Sequence, residues 1–353
     1  MNISSTFQKL LVINFLVMGS FSDGQTKEHE LIYIPVLFHV VYHVAEENIS
    51  DEQIASQLAS LNRDFRKQNH DLEKVNDTFN DNIADSRIAF VFADRVQRLD
   101  VQRIIRVQTD QPVFTNSNLF ATEEGGSDPI YPDRILNIWV ANLADGLLGF
   151  FDDHGVAIDF KSFGTDGTAT APYHLGRTLT HELGHFFSLH HPWGVGGCDE
   201  DDGIKDTPNQ ASSIASCDLQ STTCGSLDMT QNFMNMVTDD CLLFFTHGQV
   251  EKMRQHIDEV LPQMTLSEEA LVLSAGSRSN TIRFYPNPSK DGLYKVDKPF
   301  EELKIRVFSI KGGYLKSDRI TGNLLDLSDL SNGIYFISIG NTPTNSIRKI
   351  IIE

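Results

Sequence analysis

The feature that most constrains this chain is the string His181-Glu182-Leu183-Gly184-His185-Phe186-Phe187-Ser188-Leu189-His190-His191. Residues four apart share one face of a helix, so His181 and His185 can present their imidazoles to a single ion. Glu182 lies beside them, close enough to reach a water on that ion without being a ligand. His191, six residues after His185, supplies a third ligand once the chain has turned back. Three neutral ligands leave a fourth position open, the arrangement of a catalytic zinc rather than a structural one. Such an ion lowers the pKa of its bound water and polarises a carbonyl. Glu182 is then the expected general base, taking the water's proton and passing it to a leaving amine. By chance, H-E-x-x-H arises in on the order of one such chain in forty, and requiring His191 lowers that by a further factor of roughly thirty. A helix of merely structural histidines is therefore a poor account of the string.

The rest of the chain must build a scaffold for that helix. Leu31–Val44 reads as a long strand rich in Ile, Val, Tyr and Phe. Ser50, with Gln53 three residues later, opens a helix whose apolar stripe is Ile54, Leu58, Leu61 and Phe65. Arg87–Ala93, Ile104–Thr109, Ile135–Leu143 and Val156–Phe160 are further strands, and Gly125–Gly126 and Gly146–Gly149 mark turns or loops. The histidine helix begins near Thr178. Another starts at Thr246, with Gln249 completing a capping box and Val250, Met253, Ile257 and Leu261 forming its stripe. This order predicts an α+β fold, a twisted mixed sheet with the active-site helix packed against it.

Beyond Pro262 the pattern changes. Residues 263–280, rich in Ser, Glu and Ala, read as a linker. From there short β runs alternate with turns: Leu293–Val296, Leu303–Ile310, Leu324–Leu327, Ile334–Ile339 and Ile347–Ile352, with Asp291–Gly292, Gly312–Gly313 and Asn332–Gly333 between them. Residues 281–353 are expected to form a small all-β sandwich.

At the other end, Lys9 precedes an apolar stretch, Leu10–Met18, too short to span a bilayer, and Ser20 and Ser22 follow. Residues 1–22 are read as a signal peptide and 23–30 as a short polar segment. An exported chain without stable membrane insertion is expected. The formal charge of −19, from 29 basic and 48 acidic residues, argues against a nucleic-acid partner. All four cysteines lie between Cys198 and Cys241. In an oxidising compartment they form two disulfides, with three pairings open, and no C-x-x-C pair supports a zinc ribbon.

The histidine string, the segment Gln231-Asn232-Phe233-Met234-Asn235-Met236 and the stretch Cys241-Leu242-Leu243-Phe244-Phe245-Thr246-His247-Gly248-Gln249 together resemble the pappalysin family of metzincin peptidases. Ile34-Pro35-Val36-Leu37-Phe38-His39-Val40-Val41-Tyr42, His191-Pro192-Trp193-Gly194, Asp206-Thr207-Pro208 and Cys224-Gly225-Ser226 also match. The resemblance covers residues 31–262. It implies a secreted zinc endopeptidase acting on protein or peptide substrates, with Met234 as the methionine of the turn beneath the metal. It also implies the disulfides Cys198–Cys224 and Cys217–Cys241, each contributing on the order of 3 kcal/mol. Calcium is implied near Asp199, Asp202, Asp206 and Thr207, whose side chains offer oxygen ligands. Asp239 and Asp240 fall where the family builds the wall of the pocket for the residue after the scissile bond, which implies a preference for Arg or Lys.

Two positions depart from the family. Ser188 stands where the family has glycine, at the turn toward the third ligand, so strain is expected there without loss of the site. Met236 stands in place of a tyrosine credited with stabilising the oxyanion, and its sulfur donates no hydrogen bond. His190 and Tyr173 are the candidate substitutes. Met236 also motivates the alternative reading, a metal-binding but catalytically weak module that adheres to protein.

The C-terminal strings Tyr285-Pro286-Asn287-Pro288-Ser289, Leu325-Asp326-Leu327-Ser328-Asp329-Leu330, Asn332-Gly333-Ile334-Tyr335 and Arg348-Lys349-Ile350-Ile351 resemble the sorting domain of type IX secretion substrates. The secretion machinery is thus an implied partner, and the expected location is extracellular or attached to the cell surface.

Overall fold

A computed structural model describes residues 29–268, except 97, 98, 100 and 116, and residues 284–353, except 311, 312 and 340–346. The signal segment 1–22 and linker residues 269–280 lie outside the described residues. Among those described, no helix is long and apolar enough to cross a membrane.

The first sheet is organised around β1 (Ile32–Tyr42), whose interior residues are buried almost without interruption. A strand covered on both faces reads as a continuous apolar run rather than an alternating one. One edge of β1 pairs in parallel with β2 (Ile88–Phe92) and then with β3 (Ile104–Gln108). Its other edge pairs in parallel with β4 (Leu136–Ala141), which pairs with β6 (Gly155–Asp159). Antiparallel β5 (Gly149–Asp152) closes that side of the sheet. This is the expected mixed sheet. β5 falls where only a turn was expected, because four residues beginning at a glycine carry too little pattern to announce a strand.

Helix α1 (Asp51–Phe65) begins as the sequence predicts, with the Ser50 hydroxyl accepting from Gln53 N at 3.1 Å. Ile54, Leu61 and Phe65 enter the core. Its buried polar residues do a second task. Gln53 Nε2 donates to the Phe163 carbonyl at 2.8 Å, and Gln57 Nε2 donates to the Gly176 carbonyl at 2.8 Å. Both bonds fasten the loop that leads into the histidine helix. Helix α3 (His247–Val260) carries the complete capping box of Thr246 and Gln249 and buries Val250, Met253 and Ile257.

This domain does not end at Pro262. Met264 is buried, and Leu266 exchanges two backbone hydrogen bonds with Tyr33, at 2.8 and 2.9 Å. The physical reason is an open edge. β4 pairs with β1 only from Val36 onward, so the start of β1 has room for Leu266 beside it.

The C-terminal strands β7 (Phe284–Tyr285), β8 (Leu293–Ser309), β9 (Tyr314–Asp326), β10 (Gly333–Ile339) and β11 (Ile347–Ile352) are all antiparallel. They join in one sheet, β8 pairing with β7, β9 and β10, around Tyr294, Val296, Ile305, Val307, Leu325 and Ile337. The all-β expectation holds, with one continuous sheet where two layers were drawn. The two runs expected at Leu293–Val296 and Leu303–Ile310 are one strand, broken in register near Phe300 rather than in chain. The first ten residues of β9 went unread because Lys316, Asp318 and Arg319 give that stretch the composition of a loop.

Candidate metal centre

Helix α2 (Arg177–Phe186) carries the histidines. Gly176 at its N-cap has no side chain to cap it, and Asp239 does so from across the fold. Asp239 Oδ2 accepts from Leu175 N at 2.7 Å and from Arg177 N at 3.4 Å. A carboxylate also suits the positive end of the helix dipole. The Arg177 guanidinium is buried, donating to Asp71 Oδ1 at 2.8 Å and to the Asp239 carbonyl at 2.7 Å. Leu179 and Leu183 anchor the apolar side of the helix in the core.

The helix ends where Leu189 N donates to the Gly184 carbonyl at 2.9 Å. Ser188 takes the left-handed conformation there, φ +73°, so the strained turn expected at this position is present. That turn brings His191 back to the helix. The three Nε2 atoms of His181, His185 and His191 lie 3.0, 3.1 and 3.3 Å apart. Among the described residues this is the only convergence of three potential metal-ligating side chains.

Neither His181 nor His185 donates across these contacts. His181 Nδ1 donates to the Phe233 carbonyl at 2.7 Å, and His185 Nδ1 donates to the Leu189 carbonyl at 2.9 Å. A neutral imidazole with its proton on Nδ1 has a bare Nε2. Burial, reinforced by the neighbouring rings, pushes His181 down to about 3 and His191 down to about 4, so the rings are neutral at physiological pH. Bare nitrogens facing one another repel unless a cation lies between them. Tetrahedral zinc with Zn–N bonds of about 2.0–2.1 Å would hold its nitrogens about 3.3–3.4 Å apart. The donor set therefore fits zinc in both chemistry and spacing.

Beneath the cluster lies Met234, fully buried. A Cβ on Gly184 would come within 2.2 Å of its sulfur, which explains a glycine inside a helix. The turn is held by Asn232, whose Oδ1 accepts from Met234 N at 2.9 Å and whose amide pairs with Gln249 at 2.7 and 2.8 Å. Thus the capping-box glutamine of α3 also holds the turn whose Phe233 carbonyl orients His181. Sequence reading missed these roles of Gly184, Asn232 and Gln249, although all three stand inside the matching strings.

Glu182 has no hydrogen-bond partner among the described residues, and burial pushes it up to about 7. It opens into a pocket of about 260 Å³, also lined by Gly149, Tyr173, His181, Met236 and Asp239. On the other side of the histidines an open groove of about 970 Å³ runs past Phe151, Asp152, His190 and His256. Of the two candidate substitutes for the missing tyrosine, Tyr173 thus shares the pocket with Glu182, and His190 does not. Met236 stands at that pocket, 57% exposed.

The structure separates the two pocket aspartates. Asp239 is buried and lines the pocket, its Oδ1 without a hydrogen-bond partner. Asp240 is exposed, outside the pocket, and bonded to Thr238. The acidic loop is also put to other uses. Asp206 accepts from Thr246 Oγ1 at 2.8 Å and Gly248 N at 2.9 Å, closing the start of α3. Asp202 accepts from Thr207 Oγ1 at 2.7 Å, and Asp199 is exposed. Among the described residues these three carboxylates do not gather within ligating distance of one another. The disulfides are Cys198–Cys224 and Cys217–Cys241, the pairing the resemblance implied. They tie the loop after His191 to the region of the Met234 turn.

Comparison with known proteins agrees with this geometry. The peptidase M43 family, described as pregnancy-associated plasma protein-A, matches residues 132–258, and the secretion system C-terminal sorting domain matches residues 283–353. An extracellular metalloprotease of Verticillium alfalfae is 28% identical over 233 residues, 64% of this chain and 76% of that protein. Extracellular metalloprotease 1 of Coccidioides posadasii is 27% identical over 242 residues, 67% and 79% respectively. Mirolysin in complex with a compound designated 9 has a TM-score of 0.64 and 35% identity, over 70% of this chain and 99% of that one. Mature mirolysin of Tannerella forsythia with a cleaved peptide has a TM-score of 0.63 and 35% identity, over 70% and 98%. With its histidine cluster, its methionine turn and these likenesses together, the chain belongs to the pappalysin family of metzincins: it is a secreted metalloendopeptidase with a C-terminal type IX sorting domain.

Proposed function

We propose that the enzyme cleaves proteins with one zinc ion held by His181, His185 and His191 and with Glu182 as general base. The observation that carries this reading is the convergence of three imidazole Nε2 atoms beside a buried carboxyl with no hydrogen-bond partner. When bound, zinc supplies a Lewis acid that polarises the scissile carbonyl and acidifies water. Glu182 takes the proton of the attacking water and delivers it to the departing amine. A carboxyl raised toward neutrality by burial serves for both the uptake and the delivery. Met234 and Gly184 support the ligands from below and take no part in proton transfer.

Strand β5 offers the substrate its sheet edge, where an extended peptide can add as a further strand. Gly149 keeps that approach open: a Cβ there would come within 3.0 Å of Glu182 Cγ. The residue after the scissile bond enters the pocket beside Glu182, where the buried Asp239 carboxylate favours Arg or Lys. Asp240, exposed, takes no part in that choice. The C-terminal domain is the address read by the type IX machinery.

The test is cleavage of casein by the purified chain, with zinc measured in the same samples. Glu182→Gln should keep one zinc per chain and lose activity by at least about 10³-fold. Full activity in that variant, or a wild-type chain that takes up no zinc, would refute the mechanism. Stoichiometric zinc with no cleavage of any protein would favour the adhesive alternative raised by Met236.

A further inference from the structure

Ligating imidazoles are normally oriented through the ring nitrogen that does not face the metal. Two of the three follow this rule, His181 through the Phe233 carbonyl and His185 through the Leu189 carbonyl. His191 has no such hydrogen bond among the described residues. Its ring instead lies flat against the indole of Trp193, with centroids 4.4 Å apart and planes within 10° of parallel. The comparable stack of Phe151 on His185 is looser, 5.4 Å and 18°, and falls on a ring already fixed by its carbonyl.

The geometry points to Trp193 as the positioning residue of the metal centre, its stacked indole orienting His191 as the two carbonyls orient His181 and His185. The inference rests on the zinc reading above and adds a role for a side chain outside the three ligands and Glu182. The chain places the indole deliberately. Gly194 N donates to the His191 carbonyl at 2.9 Å, and Gly196 N donates to the Trp193 carbonyl at 2.7 Å, closing successive tight turns. Gly194 has φ +53°, and a Cβ there would come within 2.7 Å of the Asp201 carbonyl oxygen. The turn therefore requires glycine immediately after the tryptophan. The Cys198–Cys224 disulfide secures the same loop a few residues on.

His191 is also the one ligand outside helix α2, and its ring meets that helix only through the edges and faces of the other two imidazoles. Without the indole, the ring is free to swing away, and zinc is lost through that ligand first. Removing a group that orients a metal ligand typically costs about 10–100-fold in metal affinity. The expected loss for Trp193→Leu, which keeps apolar bulk and removes the ring stack, is about tenfold or more. Trp193→Phe, which retains a flat ring, should recover most of it. Phe151→Leu should lose less than Trp193→Leu, because the Leu189 carbonyl still holds His185.

The experiment is zinc affinity by chelator competition on the full chain carrying each substitution. Metal-free melting curves taken beside it establish that each variant is folded. Graded losses in the stated order support the inference. Equal affinity in wild type and Trp193→Leu overturns it, as does a loss that Trp193→Phe fails to reduce. Equal losses in Trp193→Leu and Phe151→Leu overturn it too, since general packing around the cluster would then set the affinity. Failure of the wild type itself to bind zinc would sink the metal-centre reading rather than this one.

Discussion

Asp239 does two things in this enzyme, and the substitution Asp239→Asn separates them. One carboxylate oxygen accepts backbone N–H groups at the start of α2, and the other is buried without a partner at the pocket beside Glu182. Asparagine keeps an oxygen for the helix and removes the charge. Asp239→Ala removes both, leaving the Leu175 and Arg177 N–H groups without an acceptor at about 1–3 kcal/mol each. Because α2 carries two of the three clustered histidines, loss of activity in the alanine variant would say nothing about specificity. A substrate guanidinium about 4 Å from the free oxygen would gain about 4 kcal/mol at an effective dielectric of about 20. Desolvation of the substrate cation and the neighbouring Arg177 charge offset part of this, so the net preference should be about 2–3 kcal/mol, or roughly 30–150-fold. The assay compares kcat/KM for two peptides identical except for Arg or Leu immediately after the scissile bond. Wild type should favour Arg by that factor, and Asp239→Asn should bring the ratio near one while the melting temperature stays within a few degrees. A folded Asp239→Asn enzyme that still prefers Arg by the wild-type factor would refute the reasoning.

Three other perturbations have definite signs. Gly184→Ala ought to stabilise an isolated helix by about 1 kcal/mol, but here its Cβ meets the Met234 sulfur, so a loss of about 1–3 kcal/mol and weaker zinc binding are expected. A more stable variant in thermal melts would show that the turn is not packed as described. Ser188→Gly relieves a left-handed serine and should raise stability by about 0.5–1 kcal/mol, with activity retained; a destabilised variant would contradict it. Burial lowers His39 from 6.5 to about 4, against the raising effects of its Asn137 hydrogen bond and of Asp128. Its folded state thus holds fewer protons than its unfolded state between those values, and the stability it contributes is lost as pH falls from about 6.5 to about 4. The size is on the order of 3 kcal/mol. The stability gap between wild type and His39→Gln, measured by denaturant unfolding, should narrow by that amount, and a gap constant with pH would exclude it.

Much of the centre was legible beforehand because its information is local. Helical spacing alone places His181 and His185 on one face, and the Ser50 and Thr246 caps announce their helices within three residues. The continuous apolar runs of β1 and β4 likewise declare strands buried on both faces. Where the pattern was short or polar, as in β5 and the first half of β9, pairing with a neighbour rather than composition made the strand.

What the sequence by itself determined is therefore the kind of chemistry: a three-histidine site, a carboxyl beside it, and the helix that carries them. What only the tertiary structure decided is how each carboxylate and ring is used. Asp239 and Asp240 are adjacent and identical in type, yet one is buried at α2 and the other faces solvent. Asp206, one of a run of acids, is turned onto the first turn of α3, and His191 is stacked on Trp193 while its two partners are held by carbonyls. The reason is physical. A side chain's chemical type is written in the chain, but its charge state and partners depend on which backbone groups and rings from distant segments enclose it.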